Sequence, residues 1–198
     1  MASFFDREAE FQVNRRNLPH WTQSAVTYFV TFHLADSLPA KKLAEFKAER
    51  KRWLEVNPPP HSENQIQEYR RNFSQRIQKW LDAGYGSCIL ARPAIFRIIE
   101  DVLKYFNGQR YLLGEYIVMP NHVHALVTPL GNHQLGQILH SWKSYSAKQI
   151  NKMVNSQGAV WHQESFDHII RSPAQLARIE EYIRDNPKSL PLSQFTDV

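Results

Sequence analysis

The sequence contains very few cysteines and no long apolar segment. Cys88 is the single cysteine among 198 residues, so an intramolecular disulfide bond is excluded and a reducing compartment is expected. No apolar run approaches the ~18 residues of a membrane-spanning helix, and the first residues lack the apolar stretch of a secretory signal. Internal repeats and low-complexity tracts are also absent. We therefore expect a soluble protein of the cytoplasm with no membrane partner.

Basic and aromatic residues are present in numbers that permit nucleic-acid binding. Lys and Arg outnumber Asp and Glu by 24 to 19, and the chain has five Trp, eight Tyr and eleven Phe. Such a surface suits a polyanion with exposed bases. The formal net charge of +5 is nevertheless modest, so the composition permits DNA binding without establishing it.

The predicted elements follow one another in the order of a single α+β domain that spans residues 1–198. Apolar periodicity and turn signals place them along the chain. The strands are predicted at 25–34, 111–119, 122–128 and 166–171. The helices are predicted on both sides of a Pro-rich turn within 39–83, and at 93–106, 134–153 and about 173–185. This order predicts a ferredoxin-like (RRM-like palm) sandwich with one antiparallel sheet and a helical insertion, about 39–83, after the first strand.

His122 and His124 are the first candidates for chemistry. Residues i and i+2 of a strand point to the same face, so both imidazoles project together while Val123 turns away. Imidazole binds many divalent metals, and with an added oxygen ligand the pair could hold Mg²⁺ or Mn²⁺ against a phosphate. The alternative is that two histidines merely lie on an exposed strand face.

Tyr182 and Asn186 are the second candidate pair. They lie four residues apart on the last predicted helix and therefore share one face of it, so a hydroxyl nucleophile and an amide ligand can approach a common point. The alternatives are structural. Tyr182 could border the apolar stripe as a half-buried aromatic, and Asn186 could simply be a helix-end residue before proline.

Several other residues have both a chemical and a structural interpretation. Tyr145, on the preceding predicted helix, is the competing nucleophile. Lys143 could hold a phosphate or serve solubility, and Trp161 could stack on a base or anchor the core. Further candidate ligands of a metal or a water are Glu164, Asp167 and His168.

The predicted helical insertion is rich in basic side chains. These residues could contact a phosphate backbone, although helix faces crowded with Lys and Arg are more often only solvated. They are Arg50, Lys51, Arg52, Arg70, Arg71, Arg76 and Lys79.

The string Met119-Pro120-Asn121-His122-Val123-His124 closely resembles the HUH motif region of REP-associated tyrosine transposases, relatives of the insertion-sequence tyrosine transposases. Other motifs of that family occur in the expected order. They are Leu18-Pro19-His20-Trp21, Tyr28-Phe29-Val30-Thr31-Phe32, Trp142-Lys143-Ser144, Trp161 with Phe166-Asp167 and Arg171, and Tyr182-Ile183-Arg184-Asp185-Asn186-Pro187. The resemblance spans about residues 18–187. It departs at 188–192, where the family usually has a hydrophobic, basic and glycine-containing run.

This resemblance implies a bacterial enzyme that cleaves and rejoins single-stranded DNA at REP-type hairpins through a 5′-phosphotyrosine. It implies His122 and His124 as ligands of Mg²⁺ or Mn²⁺, Asn186 as the third ligand and Tyr182 as the nucleophile. DNA contacts are expected from Lys143, Trp161 and Arg171. The protein is expected to be a monomer or a homodimer.

Two other functions stay open at this point. One is a catalytically silent regulator that has kept the fold and binds the same hairpins. The other is a metal-dependent hydrolase in which His122 and His124 activate water while Tyr182 is structural.

Overall fold

A computed structural model describes residues 4–5, 12–15, 19–23, 25–58 and 61–186. The segment 188–192, at which the sequence departs from the transposase pattern, lies outside the described residues, as does Pro187. No helix in the described part of the chain combines the length and the apolar character needed to cross a membrane.

A four-stranded antiparallel sheet forms the centre of the protein. Its strands are β3 (Tyr28–His33), β4 (Tyr111–Val118), β5 (His122–Pro129) and β6 (Phe166–Ile169), and they lie in the order β4-β5-β3-β6. A separate hairpin of β1 (Gln12–Arg15) and β2 (Pro19–Thr22) precedes them. The sequence did not predict this hairpin.

Within the described residues, six α-helices accompany the strands. They are α1 (Ala40–Val56), α2 (Glu63–Tyr69), α3 (Gln75–Asp82), α4 (Pro93–Tyr105), α5 (Leu135–Met153) and α6 (Pro173–Asp185). A π-helical turn at Arg70–Ser74 joins α2 to α3, so the second predicted helix of the 39–83 region is interrupted. Without α1–α3, the order is strand, helix, strand, strand, helix, strand, with each helix linking two strands that are not neighbours in the sheet. The predicted ferredoxin-like α+β fold is confirmed by this topology.

Both faces of the sheet are covered, and side chains alternate between them along each strand. Val30 and Val123 lie on the face that packs with Ile99 of α4 and Trp142 of α5. Phe29, Leu126 and the two histidines of β5 lie on the other face, which packs against Ile183 of α6. All six residues of β3 and all eight of β5 are buried. The histidines are therefore interior residues, not residues of an exposed strand face.

The last helix has a well-defined beginning. Ser172 is its N-cap and accepts a hydrogen bond from the backbone N–H of Gln175, and Pro173 occupies the first helical position. The Gln175 side chain accepts from the backbone N–H of Arg171 at 2.9 Å. These contacts fix the start of α6, and the packing of Ile183 fixes its rotation against the sheet.

The segment α1–α3 has a small core of its own. Its buried members include Phe46, Phe73, Ile77 and Leu81, and Phe166 of the edge strand β6 packs against them. This contact places the α1–α3 core against β6, on the same face of the sheet as the histidines.

Candidate metal and tyrosine site

His122 and His124 converge in the interior of the protein. Their Nε2 atoms lie 3.0 Å apart, and both side chains are 0% exposed. Because β5 is a regular strand here, Val123 points to the opposite face and packs in the main core. The predicted shared face of the two imidazoles is therefore present.

Each imidazole has a polar partner at its Nδ1 atom. His122 Nδ1 lies 2.7 Å from Asn121 Oδ1, and the Asn121 amide nitrogen donates to the Tyr85 carbonyl. In this orientation of the amide, Asn121 Oδ1 faces His122 and accepts a hydrogen bond. His122 Nδ1 therefore carries the proton, and His122 Nε2 has a free electron pair. His124 Nδ1 lies 2.8 Å from Thr31 Oγ1.

The Nε2 atom of His124 also faces a donor. The Gln78 amide nitrogen lies 2.9 Å from it, so Nε2 of His124 is an acceptor. Burial lowers the pKa of His124 to about 3. Burial, with smaller contributions from His124 and His33, also lowers the pKa of His122 well below its ordinary value. Both rings are therefore neutral and present electron pairs to each other.

Tyr182 of α6 lies directly beside this pair. Its hydroxyl oxygen is 3.3 Å from His124 Nε2, and it accepts a hydrogen bond from the Gln78 amide. The ring packs edge-on against Phe29 at 6.2 Å between centroids. Burial first, and then the nearby Asp82 carboxylate, raise the pKa of the Tyr182 phenol, while the Asn186 side chain acts in the opposite direction. The hydroxyl is therefore protonated in this arrangement.

Asn186 is the C-cap of α6 and is buried, with 4% of its surface exposed. Its side chain interacts with the Tyr182 hydroxyl. The structure therefore brings together four of the predicted site residues: His122, His124, Tyr182 and Asn186.

Two further residues of the site were not predicted from the sequence. Asp82 Oδ1, at the end of α3, lies 3.7 Å from His122 Nε2, and Gln78 lies one turn earlier on the same helix. The Gln78 amide also donates to Asp82 Oδ1 at 3.3 Å. Burial raises the pKa of the Asp82 carboxyl. Their spacing of four residues indicates a shared helix face, but the sequence does not reveal what that face covers.

The donor set fits a divalent metal ion. Ligand atoms of Asp82, His122 and His124 all lie within 4.8 Å of one another, and they form the metal-compatible group found among the described His, Cys, Asp and Glu residues. Two imidazole nitrogens and a carboxylate oxygen suit several first-row divalent ions. The protons on the Nδ1 side and the electron pairs on the Nε2 side match the usual arrangement of metal-binding histidines.

Two of the predicted DNA-binding residues have structural partners instead. Trp161 is 6% exposed, packs edge-on against Phe32 and donates to Ser146 Oγ. The ring is part of the core in this structure, and stacking of Trp161 on a base stays a prediction. Lys143 donates to the carbonyls of His162 and Gln163 at 2.7 and 2.9 Å, so a phosphate would have to displace these acceptors.

Arg171 and the alternative nucleophile lie elsewhere on the molecule. Arg171 is exposed just before α6, with its guanidinium 5.6 Å from the Phe5 ring, and a DNA contact there stays a prediction. Tyr145 is 57% exposed on α5, the helix that packs on the opposite face of the sheet. It is therefore not placed to act with the histidines. The other candidate ligands, which do not belong to the group with Asp82, are Glu164, Asp167 and His168.

Part of the predicted basic surface lies on α3 and the π-helical turn before it. Arg71, Arg76 and Lys79 line a concavity of about 500 Å³ at the junction of the π-helical turn and α3. Arg76 forms an ion pair with Glu49 at 2.6 Å, whereas the Lys79 side chain is exposed. Phosphate contact by these residues stays a prediction.

The sequence from residue 90 to residue 186 matches the family model described as "Transposase IS200 like". This segment belongs to the IS200-like transposase family. It contains α4 to α6 and the histidine pair, while β3 and α1–α3 precede it. The prediction of a tyrosine transposase of the HUH class is confirmed at the level of this family.

Two solved structures resemble the chain at low sequence identity. One is a REP-associated tyrosine transposase bound to a REP hairpin, with 15% identity, a TM-score of 0.44, and coverage of 89% of this chain and 73% of that one. The other is a candidate transposase from Deinococcus radiodurans R1, with 15% identity, a TM-score of 0.38, and coverage of 83% and 93%. No curated protein sequence matches the chain.

Proposed function

We propose that this protein is a metal-dependent tyrosine nuclease and strand transferase that acts on single-stranded DNA. The observation that carries the proposal is the position of the Tyr182 hydroxyl, 3.3 Å from Nε2 of His124. A nucleophile and half of a metal site thus lie together within one chain. The motif resemblance around His122 and the family match over residues 90–186 support the same function.

In this proposal His122 and His124 hold Mg²⁺ or Mn²⁺ through their Nε2 atoms. Asn186, the ligand that the sequence predicts, and Asp82 are two oxygen donors for a third position. A bound ion would polarise a scissile phosphate and offset the negative charge that grows in the transition state.

Tyr182 is the nucleophile of the proposed reaction. Its hydroxyl releases a proton as Oη bonds to phosphorus, and the bond from phosphorus to the 3′ oxygen breaks. The leaving oxygen takes up a proton, so the products are a 5′-phosphotyrosine and a free 3′-hydroxyl. Attack by a different 3′-hydroxyl reverses these steps and rejoins DNA without ATP.

The proposed substrate is single-stranded DNA next to a REP-type hairpin in a bacterial cell. This choice follows the motif resemblance, because hairpin recognition cannot be read from individual residues. The concavity lined by Arg71, Arg76 and Lys79 provides a basic surface near α3, where a DNA backbone could lie.

One observation favours a second candidate, a catalytically silent regulator that binds the same hairpins. Both histidines are 0% exposed, and the Gln78 amide contacts His124 and the Tyr182 oxygen. A phosphate reaches these atoms only after Gln78 moves. If Gln78 never moves away from His124 and Tyr182, the protein binds DNA and does not cut it.

Covalent capture separates the two candidates. The full chain is incubated with Mn²⁺ and a labelled single-stranded REP hairpin and then resolved under denaturing conditions. We expect a DNA-linked protein band with the wild type and with Tyr145→Phe, and no such band with Tyr182→Phe. Binding of the hairpin without any covalent band supports the regulator. Cleavage without a band supports a hydrolase that uses water.

A further inference from the structure

The three residues of the metal-compatible group come from two different parts of the chain. His122 and His124 lie within the segment that matches the transposase family, residues 90–186. Asp82 lies before that segment, at the end of α3 and of the helical region that follows β3. The carboxylate nevertheless reaches the histidines, with 3.7 Å between Asp82 Oδ1 and His122 Nε2.

The packing of α3 directs Asp82 to this position. Ile77 and Leu81 are buried in the small core of α1–α3, and the residue that follows each of them, Gln78 and Asp82, lies on the adjoining face of the helix. Residues four apart on a helix share a face. Anchoring the apolar pair therefore turns the polar pair toward β5.

The geometry of this group suits a cation at its centre. Nε2 of His122, Nε2 of His124 and Oδ1 of Asp82 are all electron-pair donors within 4.8 Å of one another. In the described part of the chain, no Lys or Arg forms an ion pair with Asp82, and its carboxylate lies 3.7 Å from the imidazole of His122. The Gln78 amide, a neutral donor, contacts both Asp82 and His124. A cation at the centre of this group would pair with the half-buried carboxylate and with the nitrogen atoms of both rings.

We infer that Asp82 is the third protein ligand of the metal ion, so that the site consists of two histidines and one carboxylate. This inference rests on the proposed function, because it assigns a ligand to the same metal. Asn186 then acts on Tyr182, because its side chain lowers the pKa of the Tyr182 hydroxyl. The helical region α1–α3 thereby contributes one residue directly to the metal site.

Mn²⁺ binding to the full chain without DNA tests the inference apart from catalysis. The protein is freed of metal with a chelator and titrated with Mn²⁺, and the free ion is followed by electron paramagnetic resonance. Loss of a partner that only orients a metal ligand already costs about 10–100-fold in affinity. We therefore expect Asp82→Asn to weaken Mn²⁺ binding by at least about tenfold.

Matched variants accompany this titration. Asp82→Glu, which keeps a carboxylate, should recover part of the affinity, and Asp101→Asn, an exposed position on α4, should bind like the wild type. His122→Ala should lose binding because it removes a ligand. Wild-type affinity in Asp82→Asn together with weak binding in Asn186→Ala overturns the inference and leaves the metal site of the proposed function intact. No Mn²⁺ binding by the wild type overturns both.

A second variant, which gains an absorption band when it binds metal, tests the inference even if Asp82→Asn is poorly folded. Asp82→Cys, prepared with Cys88→Ser so that no other thiol is present, offers a thiolate at the same position. Thiolates favour soft ions, so addition of Cd²⁺ should produce a thiolate-to-metal absorption band in the ultraviolet. Absence of this band in a folded protein that still binds the ion through the histidines contradicts the inference.

Discussion

The Tyr182 hydroxyl lies 3.3 Å from Nε2 of His124 within one chain. Tyr182 comes from α6 and His124 from β5, and the two elements are joined by the packing of Phe29 and Ile183 between them. A swapped helix from another subunit is therefore not required to complete the pair. The following predictions depend on this arrangement.

Metal should stabilise the folded protein. The site is assembled from β5, α3 and α6, so the ion binds only the folded state, and at one hundred times its dissociation constant the gain is about 2.7 kcal/mol. For a chain of this size that corresponds to a rise of about 5–10 °C in Tm. Differential scanning calorimetry with and without Mn²⁺ measures the shift. If Mn²⁺ raises the Tm of His122→Ala by the same amount, the stabilising ion binds at a different site.

Thr31 should influence metal affinity without touching the metal. Its hydroxyl contacts Nδ1 of His124, and loss of such a partner weakens binding by about 10–100-fold. We expect this effect for Thr31→Val in a Mn²⁺ titration. Thr128→Val is the control, because Thr128 is a buried threonine of β5 whose hydroxyl bonds Thr27. If the two variants bind Mn²⁺ equally, Thr31 does not orient the ring.

Gln78 should compete with the metal. Its amide donates to His124 Nε2 and Asp82 Oδ1, and these hydrogen bonds must break before an ion uses the same electron pairs. A net hydrogen bond contributes about 1 kcal/mol, so Gln78→Ala should bind Mn²⁺ about fivefold more tightly. Gln75→Ala, exposed on the same helix, is the control. Weaker binding in Gln78→Ala would mean that the amide supports the site.

A substitution at Trp161 should lower the stability of the fold, whereas a substitution at Arg171 should change DNA binding. Trp161→Ala removes a buried ring from the core and should cost about 3–5 kcal/mol of unfolding free energy. Arg171→Ala, an exposed residue, should change stability by less than about 0.5 kcal/mol but reduce the salt dependence of hairpin binding by about one phosphate contact. Urea unfolding and fluorescence anisotropy measure the two effects. If Arg171→Ala leaves the salt dependence of hairpin binding unchanged, Arg171 does not contact the DNA.

Local patterns were sufficient to predict most of the fold. The alternation of side chains in β3 and β5, the turn between β4 and β5, and the capped start of α6 are all local features, and each was located within a few residues. The shared face of His122 and His124 follows from the period of a strand alone. The β1–β2 hairpin, whose two strands have four residues each, was not predicted.

The parts of the site that were missed depend on long-range packing. Asp82 is 40 positions before His122, and nothing near it in sequence indicates that Ile77 and Leu81 turn α3 toward the sheet. The same limit applies to Trp161, whose place in the core depends on contacts with Phe32 and Ser146. A residue type suggests its chemistry, but its neighbours decide whether that chemistry is available.

The most direct test of the proposed function is to identify the atom that becomes attached to DNA. Full-length protein is reacted with Mn²⁺ and a single-stranded hairpin, the complex is digested with protease and nuclease, and the modified peptide is sequenced by mass spectrometry. We predict a nucleotide joined through its 5′-phosphate to Tyr182, with a free 3′-hydroxyl on the released strand. Modification at Tyr145 or at another residue, or cleavage that leaves every tyrosine unmodified, would contradict the proposed function.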